Sequence, residues 1–178
     1  AGAAKGCETA LVVTIGTGIG GGFLSQGRLM TGCNGAALEI GHTVIEVNGR
    51  ACPCGRRGCW EQYASATGLK ALTREEMSLC PDSLMWQLVC GNLSDVGGRT
   101  AFLAAKEGDE AGKRVVSRYL SYLAAGLTNL VNIFQPERII LGGGVSHEED
   151  SAFLFPLREL VAEERFHGHG RQTELVKA

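Results

Sequence analysis

Two features that mark other classes of protein are missing from this sequence of 178 residues. No apolar run reaches the roughly 18 to 20 residues that a bilayer-spanning helix needs, and the sequence does not open on a charged, leader-like segment. There is no run of lysine or arginine either, and 17 basic residues nearly balance 19 acidic ones. These absences argue against a membrane segment and against nucleic acid as a partner. We therefore expect a soluble, cytoplasmic protein.

The recurring cysteine spacing of a disulfide framework is also absent. The sequence has seven cysteines, an odd number, and four of them follow no pattern. These four are Cys7, Cys33, Cys80 and Cys90. Their apolar or small-residue surroundings predict buried or inert thiols, which a reducing compartment tolerates. A bridge between Cys52 and Cys54 would be strained, and a bridge from either to Cys59 leaves one cysteine over, so disulfides are the weaker interpretation.

What the sequence does contain is a compact cluster of metal-binding residue types between positions 41 and 62. Three cysteines fall within eight positions, and one histidine precedes them. The four residues are His42, Cys52, Cys54 and Cys59. Three thiolates and one imidazole form the closed tetrahedral set typical of structural zinc, and Gly55 and Gly58 would let the loop curl around the ion. Crowded cysteines in a surface loop are the alternative.

Hydrophobic patterning predicts an α/β domain. Five segments are predicted as strands: residues 9–16, 23–30, 42–47, 137–141 and 171–177. Helical spacing covers residues 59–79, 83–91, 98–108, 109–134 and 152–165. The longest helix has Asp109 as its expected N-terminal cap and Pro136 as its expected end. A meander of three strands followed by alternating helices and strands predicts a mixed sheet with helices on both faces.

This order of elements resembles the ribonuclease-H-like half of the actin and sugar-kinase ATPases. One domain of ordinary size is expected over residues 1–178. The helix that normally closes such a half has no counterpart after the last predicted strand. We therefore expect the chain to be a domain that is cut short.

Two glycine-rich segments follow predicted buried strands and are candidates for binding a nucleotide. Their residues are Gly16, Thr17, Gly18 and Gly20 in the first, and Gly142, Gly143 and Gly144 in the second. The first also matches G-x-G-x-x-G, but a strand is predicted after its third glycine, so the dinucleotide fingerprint is weak. Ligands of α/β proteins bind beyond the carboxyl ends of strands, where bare backbone amides can face phosphates. Alternatively, both loops could be tight turns that serve only the packing of the chain and bind no ligand. The presence of two such loops, each after a buried strand, favours a nucleotide site.

Four segments, in this order and spacing, make the chain similar to the ROK family (repressor, open reading frame, kinase), most of all to its bacterial glucokinases. The segments are VVTIGTGIGGGFLSQGRL, GAALEIGH, CPCGRRGCWEQYAS and IILGGGVS. The resemblance covers residues 1–178 and implies the C-terminal domain of such a protein, without the N-terminal domain and the final helix. It implies an ATP-dependent sugar kinase that phosphorylates the 6-hydroxyl of glucose, with Mg²⁺ accompanying ATP.

The resemblance also implies roles for individual residues. The first glycine loop would contact the phosphates of ATP, and the second would border the adenosine. Sugar hydroxyls would be held by Glu39, His42 and Glu61, and structural Zn²⁺ by the four cluster residues. The aspartate that serves as catalytic base in this family has no counterpart in the chain, so the isolated chain is expected to be inactive. Leu38 stands where the family usually has glycine.

Other functions stay open at the level of the sequence. A sugar-responsive transcriptional repressor of the same family would keep this domain and add a helix-turn-helix upstream, and a zinc-stabilised interaction domain is a third alternative. N-acetylmannosamine, N-acetylglucosamine, fructose and allose are alternative kinase substrates. Family members commonly form dimers or tetramers, so a homo-oligomer is expected. Surface positions are expected for His147, His167 and His169, and residues 96–100 have no assigned role.

Overall fold

A computed structural model describes residues 2–166 and 172–178 and shows a mixed five-stranded sheet within them. Strands β1 (Thr9–Ile15), β2 (Ile19–Ser25) and β3 (Arg28–Leu29) form an antiparallel meander. Strands β4 (Arg138–Gly142) and β5 (Glu174–Lys177) extend the sheet parallel to β1, in the order β3-β2-β1-β4-β5. The predicted α/β class and mixed sheet are confirmed.

The described residues also contain six α-helices, which follow β3 and alternate with the last two strands. They are α1 (Glu61–Ala64), α2 (Ala66–Leu79), α3 (Leu84–Leu88), α4 (Thr100–Lys106), α5 (Glu110–Phe134) and α6 (Leu154–Glu164). Short 3₁₀ turns lie at Gly2–Ala4, Ile40–His42, Leu93–Asp95 and Gly144–His147. Over the described part of the chain, no helix is long and apolar enough to cross a membrane.

The longest helix, α5, begins and ends close to the predicted positions. The amide of Gly112 donates to Oδ1 of Asp109 at 2.6 Å, which is the expected N-terminal cap. Burial by itself would raise the pKa of Asp109, but backbone and side-chain hydrogen bonds to its carboxylate hold that pKa below its ordinary value. The helix ends at Phe134, where Gln135 is left-handed with a φ of 44° and Pro136 follows.

Three predicted elements differ from the structure. The segment 23–30 divides at its glycine turn into the end of β2 and the short β3, and β2 begins earlier, at Ile19. The predicted strand 42–47 is wrong, because Val44 forms only an isolated bridge with Cys59 in the loop that carries the cysteines. The predicted helix 59–79 is divided at Ser65, whose hydroxyl oxygen accepts from the amide of Gly68 at 3.1 Å and caps α2.

The described helices and the sheet share one main hydrophobic cluster. Leu11, Val13 and Ile15 of β1 are fully buried in it, together with residues of the helices. On the other side of β1, Ala10 is buried and Val12 keeps 36% of its surface exposed. The predicted mixed sheet with packed helices is therefore confirmed.

The four scattered cysteines are less buried than predicted. Cys33 and Cys90 are exposed, and Cys7 and Cys80 are half-buried. Of the two predicted states, buried or inert, burial is therefore not found for these residues. That they are chemically inert stays a prediction.

Of the three histidines expected on the surface, the structure describes one. His147 is exposed, as predicted. His167 and His169 lie outside the described residues, as does the first position of the predicted strand 171–177. The described strand in that region is β5.

Candidate active site

The four predicted metal ligands converge in the structure. Nδ1 of His42 lies 3.6 Å from Sγ of Cys52, and Sγ of Cys54 lies 3.6 Å from Sγ of Cys59. All four ligand atoms lie within 4.8 Å of one another. Ligands at the usual zinc–sulfur distance of about 2.3 Å stand about 3.8 Å apart at the corners of a tetrahedron, so the spacing fits that ion.

Glycines and one arginine shape the loop that carries the three cysteines. Gly55 and Gly58 have positive φ angles of 89° and 78°, as a tight curl around an ion requires. Space also excludes a side chain at Gly58, because an added Cβ would lie 1.7 Å from the backbone oxygen of Glu46. The guanidinium of Arg56 donates to the carbonyl oxygen of His42 at 3.2 Å and ties the loop to the histidine.

The protonation of the three thiols depends on whether a cation lies among them. Burial raises the pKa of Cys59 to about 12 and raises the pKa of Cys52 as well. A backbone hydrogen bond at Arg56 lowers the pKa of Cys54. A divalent cation at the centre would offset the cost of holding three thiolates close together. The donor set therefore fits structural zinc, since protein ligands would fill all four positions.

Glu61, the first residue of α1, lies between the metal cluster and the first glycine loop. Its Oε1 lies 3.3 Å from Sγ of Cys52 and 3.7 Å from Nδ1 of His42. An added Cβ on Gly18 would lie 2.6 Å from its Oε2. The side chain is 17% exposed, so the carboxylate remains accessible to a small ligand.

Glu39, the second acid predicted to hold sugar, is exposed and immediately precedes the turn Ile40–His42. The amide of His42 donates to the carbonyl oxygen of Glu39 at 3.1 Å, so the turn places these residues side by side. The preceding residue, Leu38, has a positive φ of 66°. This left-handed conformation favours glycine, the residue that the resemblance described above implies at this position.

We expect Leu38→Gly to be more stable than Leu38→Ala by about 1 to 2 kcal/mol, because both remove the side chain and only alanine keeps the left-handed strain. Urea unfolding of the two variants measures the difference. The same pair of substitutions at Leu24, within β2, is the control, and there alanine is expected to be the more stable residue. An alanine variant at position 38 as stable as the glycine variant would contradict the strain.

The two glycine loops meet at a cavity of about 310 Å³. Its lining includes Gly16 and Thr17 from the first loop, and Gly144 and Val145 from the second. The amide of Ala66 donates to the carbonyl oxygen of Gly16 at 2.9 Å, so the N-terminus of α2 lies at the same cavity. The structure thus brings together two loops that are far apart in the sequence, while nucleotide binding there stays a prediction.

Three of the other predicted glycines lie within a strand or in close contact with one. Gly20 lies within β2, where an added Cβ would lie 2.9 Å from Oγ1 of Thr14. Gly142 is the last residue of β4. Gly143 has a positive φ of 94°, and an added Cβ would lie 2.4 Å from the backbone oxygen of Ile15. These residues support the turn and the sheet, and they are not among the residues that line the cavity.

Charged residues at the cavity were missed by the sequence analysis. Lys70 from α2, Arg99 before α4 and Glu148 all contribute to the lining, as does Gly98 from the unassigned segment 96–100. Nε of Arg99 donates to Oε1 of Glu148 at 3.1 Å. No ion pair involving Lys70 occurs among residues 2–166 and 172–178. Single charges on helices are common at protein surfaces, so the sequence held no signal for these residues.

A mixed sheet with two glycine loops at one cavity is the arrangement expected of an α/β protein with the actin-like ATPase fold. The model of the ROK family matches residues 1–178, and the chain belongs to this family. A glucokinase of Thermotoga maritima is 39% identical over 162 residues, which cover 91% of this chain and 50% of that protein. A xylose repressor of Bacillus subtilis is 33% identical over 176 residues, which cover 98% of this chain and 41% of the repressor.

A solved structure agrees with this assignment. The chain superposes on a ROK family glucokinase from Streptomyces griseus, in complex with glucose and AMPPNP, with a TM-score of 0.90 at 31% identity. The match covers 98% of this chain and 57% of that chain. The predicted actin-like ATPase fold is confirmed. The chain spans about half the length of the curated relatives it matches.

Proposed function

We propose that this chain is the nucleotide- and sugar-binding half of an ATP-dependent sugar kinase, with glucose as the first candidate and its 6-hydroxyl as the acceptor. The observation that carries the proposal is the position of Glu61 between the metal cluster and Gly18. Carboxylates accept hydrogen bonds from sugar hydroxyls, and bare backbone amides bind phosphates. Sugar and phosphate would therefore meet where the loop 16–18 passes Glu61. The related Streptomyces griseus glucokinase, solved with glucose and AMPPNP, supports both substrates.

In this proposal the protein acts by positioning its two substrates. The carboxylate of Glu61 accepts from vicinal hydroxyls of the hexose, and Glu39 and Nε2 of His42 hold further hydroxyls, since Nδ1 faces the cluster. His42, Cys52, Cys54 and Cys59 would hold zinc, and a bound ion would fix the loop that leads to Glu61, so that the carboxylate would not need to be ordered when sugar binds. Mg²⁺, when bound with ATP, neutralises charge on the phosphates.

No residue of this chain is assigned as the catalytic base. In the proposal the base, the N-terminal domain and the final helix come from parts of the protein outside these 178 residues. We expect the 178-residue chain to fold and carry zinc but to show no measurable phosphoryl transfer, because positioning and the base are lost together. Robust turnover by this chain alone would show that the base lies within it.

ADP release by the full-length gene product, with ATP and Mg²⁺ across a panel of hexoses, tests the proposed activity. We expect turnover with glucose, and we expect Glu61→Gln to lower kcat/KM for the sugar about 100-fold, because a charged acceptor of two hydrogen bonds becomes neutral. Glu110→Gln, an exposed carboxylate at the start of α5, is the matched control and should retain full activity. No turnover with any hexose would contradict the kinase assignment.

Lys70 provides a separate prediction for the nucleotide cavity. It is a half-buried cation among the glycine loops, where it would attract the charge of phosphates. Replacing Lys70 with methionine keeps most of the side-chain length and is expected to raise KM for ATP about tenfold, with KM for the sugar unchanged. Initial rates at varied ATP measure the change. Lys5→Met, an exposed lysine outside the cavity lining, is the control, and equal KM values in the two variants would contradict a phosphate contact.

One observation favours a second function, that of a sugar-responsive transcriptional repressor. The xylose repressor of Bacillus subtilis matches 98% of this chain at 33% identity. A repressor would use the sugar-binding carboxylates and would not require the nucleotide cavity. Sugar binding without ATP turnover, together with a helix-turn-helix upstream of Ala1, would favour the repressor. The predicted homo-oligomer is compatible with either function and is measured by light scattering of the full-length protein.

A further inference from the structure

Gln62 contacts both the metal cluster and the proposed sugar-binding carboxylate. Its side-chain Nε2 donates to Oε1 of Glu61 at 3.2 Å and to Sγ of Cys52 at 3.5 Å. The two acceptor atoms lie 3.3 Å from each other. An amide nitrogen carries two hydrogens, so one NH₂ group can serve both acceptors at the same time.

The backbone of Gln62 is held by contacts that do not involve the metal ligands' side chains. Its amide donates to the carbonyl oxygen of Cys59 at 3.0 Å, and its own carbonyl oxygen accepts from the guanidinium of Arg50 at 2.9 Å. The same guanidinium lies 5.0 Å from the centre of the Tyr63 ring and is paired with Glu75. Gln62 is therefore presented to the cluster by a well-anchored segment.

This amide is placed to serve two acceptors that lie side by side. A cysteine sulfur that binds a metal ion accepts hydrogen bonds as a thiolate, just as the Glu61 carboxylate does. The amide of Gln62 is a neutral donor between the two anions, so it offsets their repulsion without adding charge. Donors next to a ligating atom raise metal affinity and orient the ligand.

We propose that Gln62 is a positioning residue that couples metal binding to sugar binding, by holding Glu61 in place beside the thiolate of Cys52. The inference rests on the proposed role of Glu61 as a sugar ligand. Metal loading then raises sugar affinity, and sugar binding raises metal affinity by the same factor, because the coupling between two sites is reciprocal. A glutamine with only a structural role would change stability and leave this factor intact.

The test compares Gln62→Met with Gln87→Met, an exposed glutamine on α3, in the full-length gene product. Competition with a chromophoric chelator measures zinc affinity, and tryptophan fluorescence measures the binding of glucose with and without zinc. We expect Gln62→Met to weaken zinc binding about tenfold, and to remove most of the gain in glucose affinity that zinc confers on the wild type. Gln87→Met should match the wild type, and thermal unfolding of the zinc-free proteins checks that each variant is folded.

A second variant separates the loss of the hydrogen bonds from any change in side-chain packing. Gln62→Glu keeps the size of the side chain but adds a negative charge beside Glu61 and Cys52, so it should weaken both ligands more than methionine does. Wild-type affinities for zinc and glucose in both variants would overturn the inference. If the wild type binds no hexose at all, the proposed function and the coupling fail together, whereas the chelator competition still decides whether Gln62 supports the cluster.

Discussion

Replacing Gly126 with alanine is expected to lower the free energy of unfolding by about 3 kcal/mol. An added Cβ would lie 1.9 Å from Cε2 and 2.3 Å from Cδ2 of Trp60, whose ring is fully buried. The ring has little freedom to move, because its Nε1 donates to the carbonyl oxygen of Tyr122 at 2.8 Å. Trp60 also stands between Cys59 and Glu61 in the sequence, so its displacement would disturb the candidate active site as well.

The expected loss of stability in Gly126→Ala distinguishes the clash with Trp60 from the effect of helix propensity. Within an exposed helix, alanine is more stable than glycine by about 1 kcal/mol, so propensity alone predicts the opposite result for α5. Ser121→Ala, at an exposed position of the same helix, is the control and should change stability by less than about 0.5 kcal/mol. Urea unfolding measures both variants. A Gly126→Ala protein as stable as the wild type would show that Trp60 does not pack against α5 as described.

Replacing Cys59 with serine is expected to abolish stoichiometric zinc and to destabilise the loop 44–59. The side chain of Cys59 is fully buried, and its sulfur is one of four converging ligand atoms. Structural zinc supplies about 10 kcal/mol or more to the folding of small zinc-binding peptides, so loss of one ligand has a large effect. Elemental analysis of protein purified under reducing conditions should give about one zinc per chain for the wild type and almost none for the variant.

The scattered cysteines offer a matched control for this experiment. Cys90→Ser removes an exposed thiol outside the cluster and should leave the zinc content unchanged. A chelator should lower the unfolding temperature of the wild type and of Cys90→Ser equally, with little effect on Cys59→Ser. Wild-type protein without zinc, purified from a zinc-supplemented culture, would rule out the proposed ion.

The predicted strand 42–47 shows where reasoning from sequence patterns fails. Its alternation of apolar and polar residues is typical of a strand, but such a short pattern says nothing about what the segment pairs with. In the structure Ile45 packs against the main hydrophobic cluster, and the amide of Ile45 donates to the carbonyl oxygen of Gly58 at 3.0 Å. The pattern therefore indicated the partial burial of Ile45, but it was wrong for Val47, which keeps 80% of its surface exposed. The bonds that this segment makes with the cysteine loop, and no strand pairing, set its backbone conformation.

The cavity at the glycine loops shows a different limit. Glycines after buried strands were recognisable, because few other residues allow close approach of a ligand to the backbone. Lys70 and Arg99 were not, because a charge on a helix or in a loop is most often solvated and its direction depends on how the helices pack. Only the structure showed that Gly98 and Arg99, from the segment 96–100, line the same cavity as Gly144.

The sequence by itself determined the α/β class, the helix that follows Asp109 and the four candidate metal ligands. Each of these has a local signal: a periodicity, a cap, or a spacing of ligands that the chain can bring together within one loop. Only the tertiary structure decided that Glu61 lies between Cys52 and Gly18, that Gly126 abuts Trp60, and that Lys70 reaches the glycine loops. These contacts depend on the directions of side chains and on the packing of distant segments, for which the order of residues carries no periodic signal.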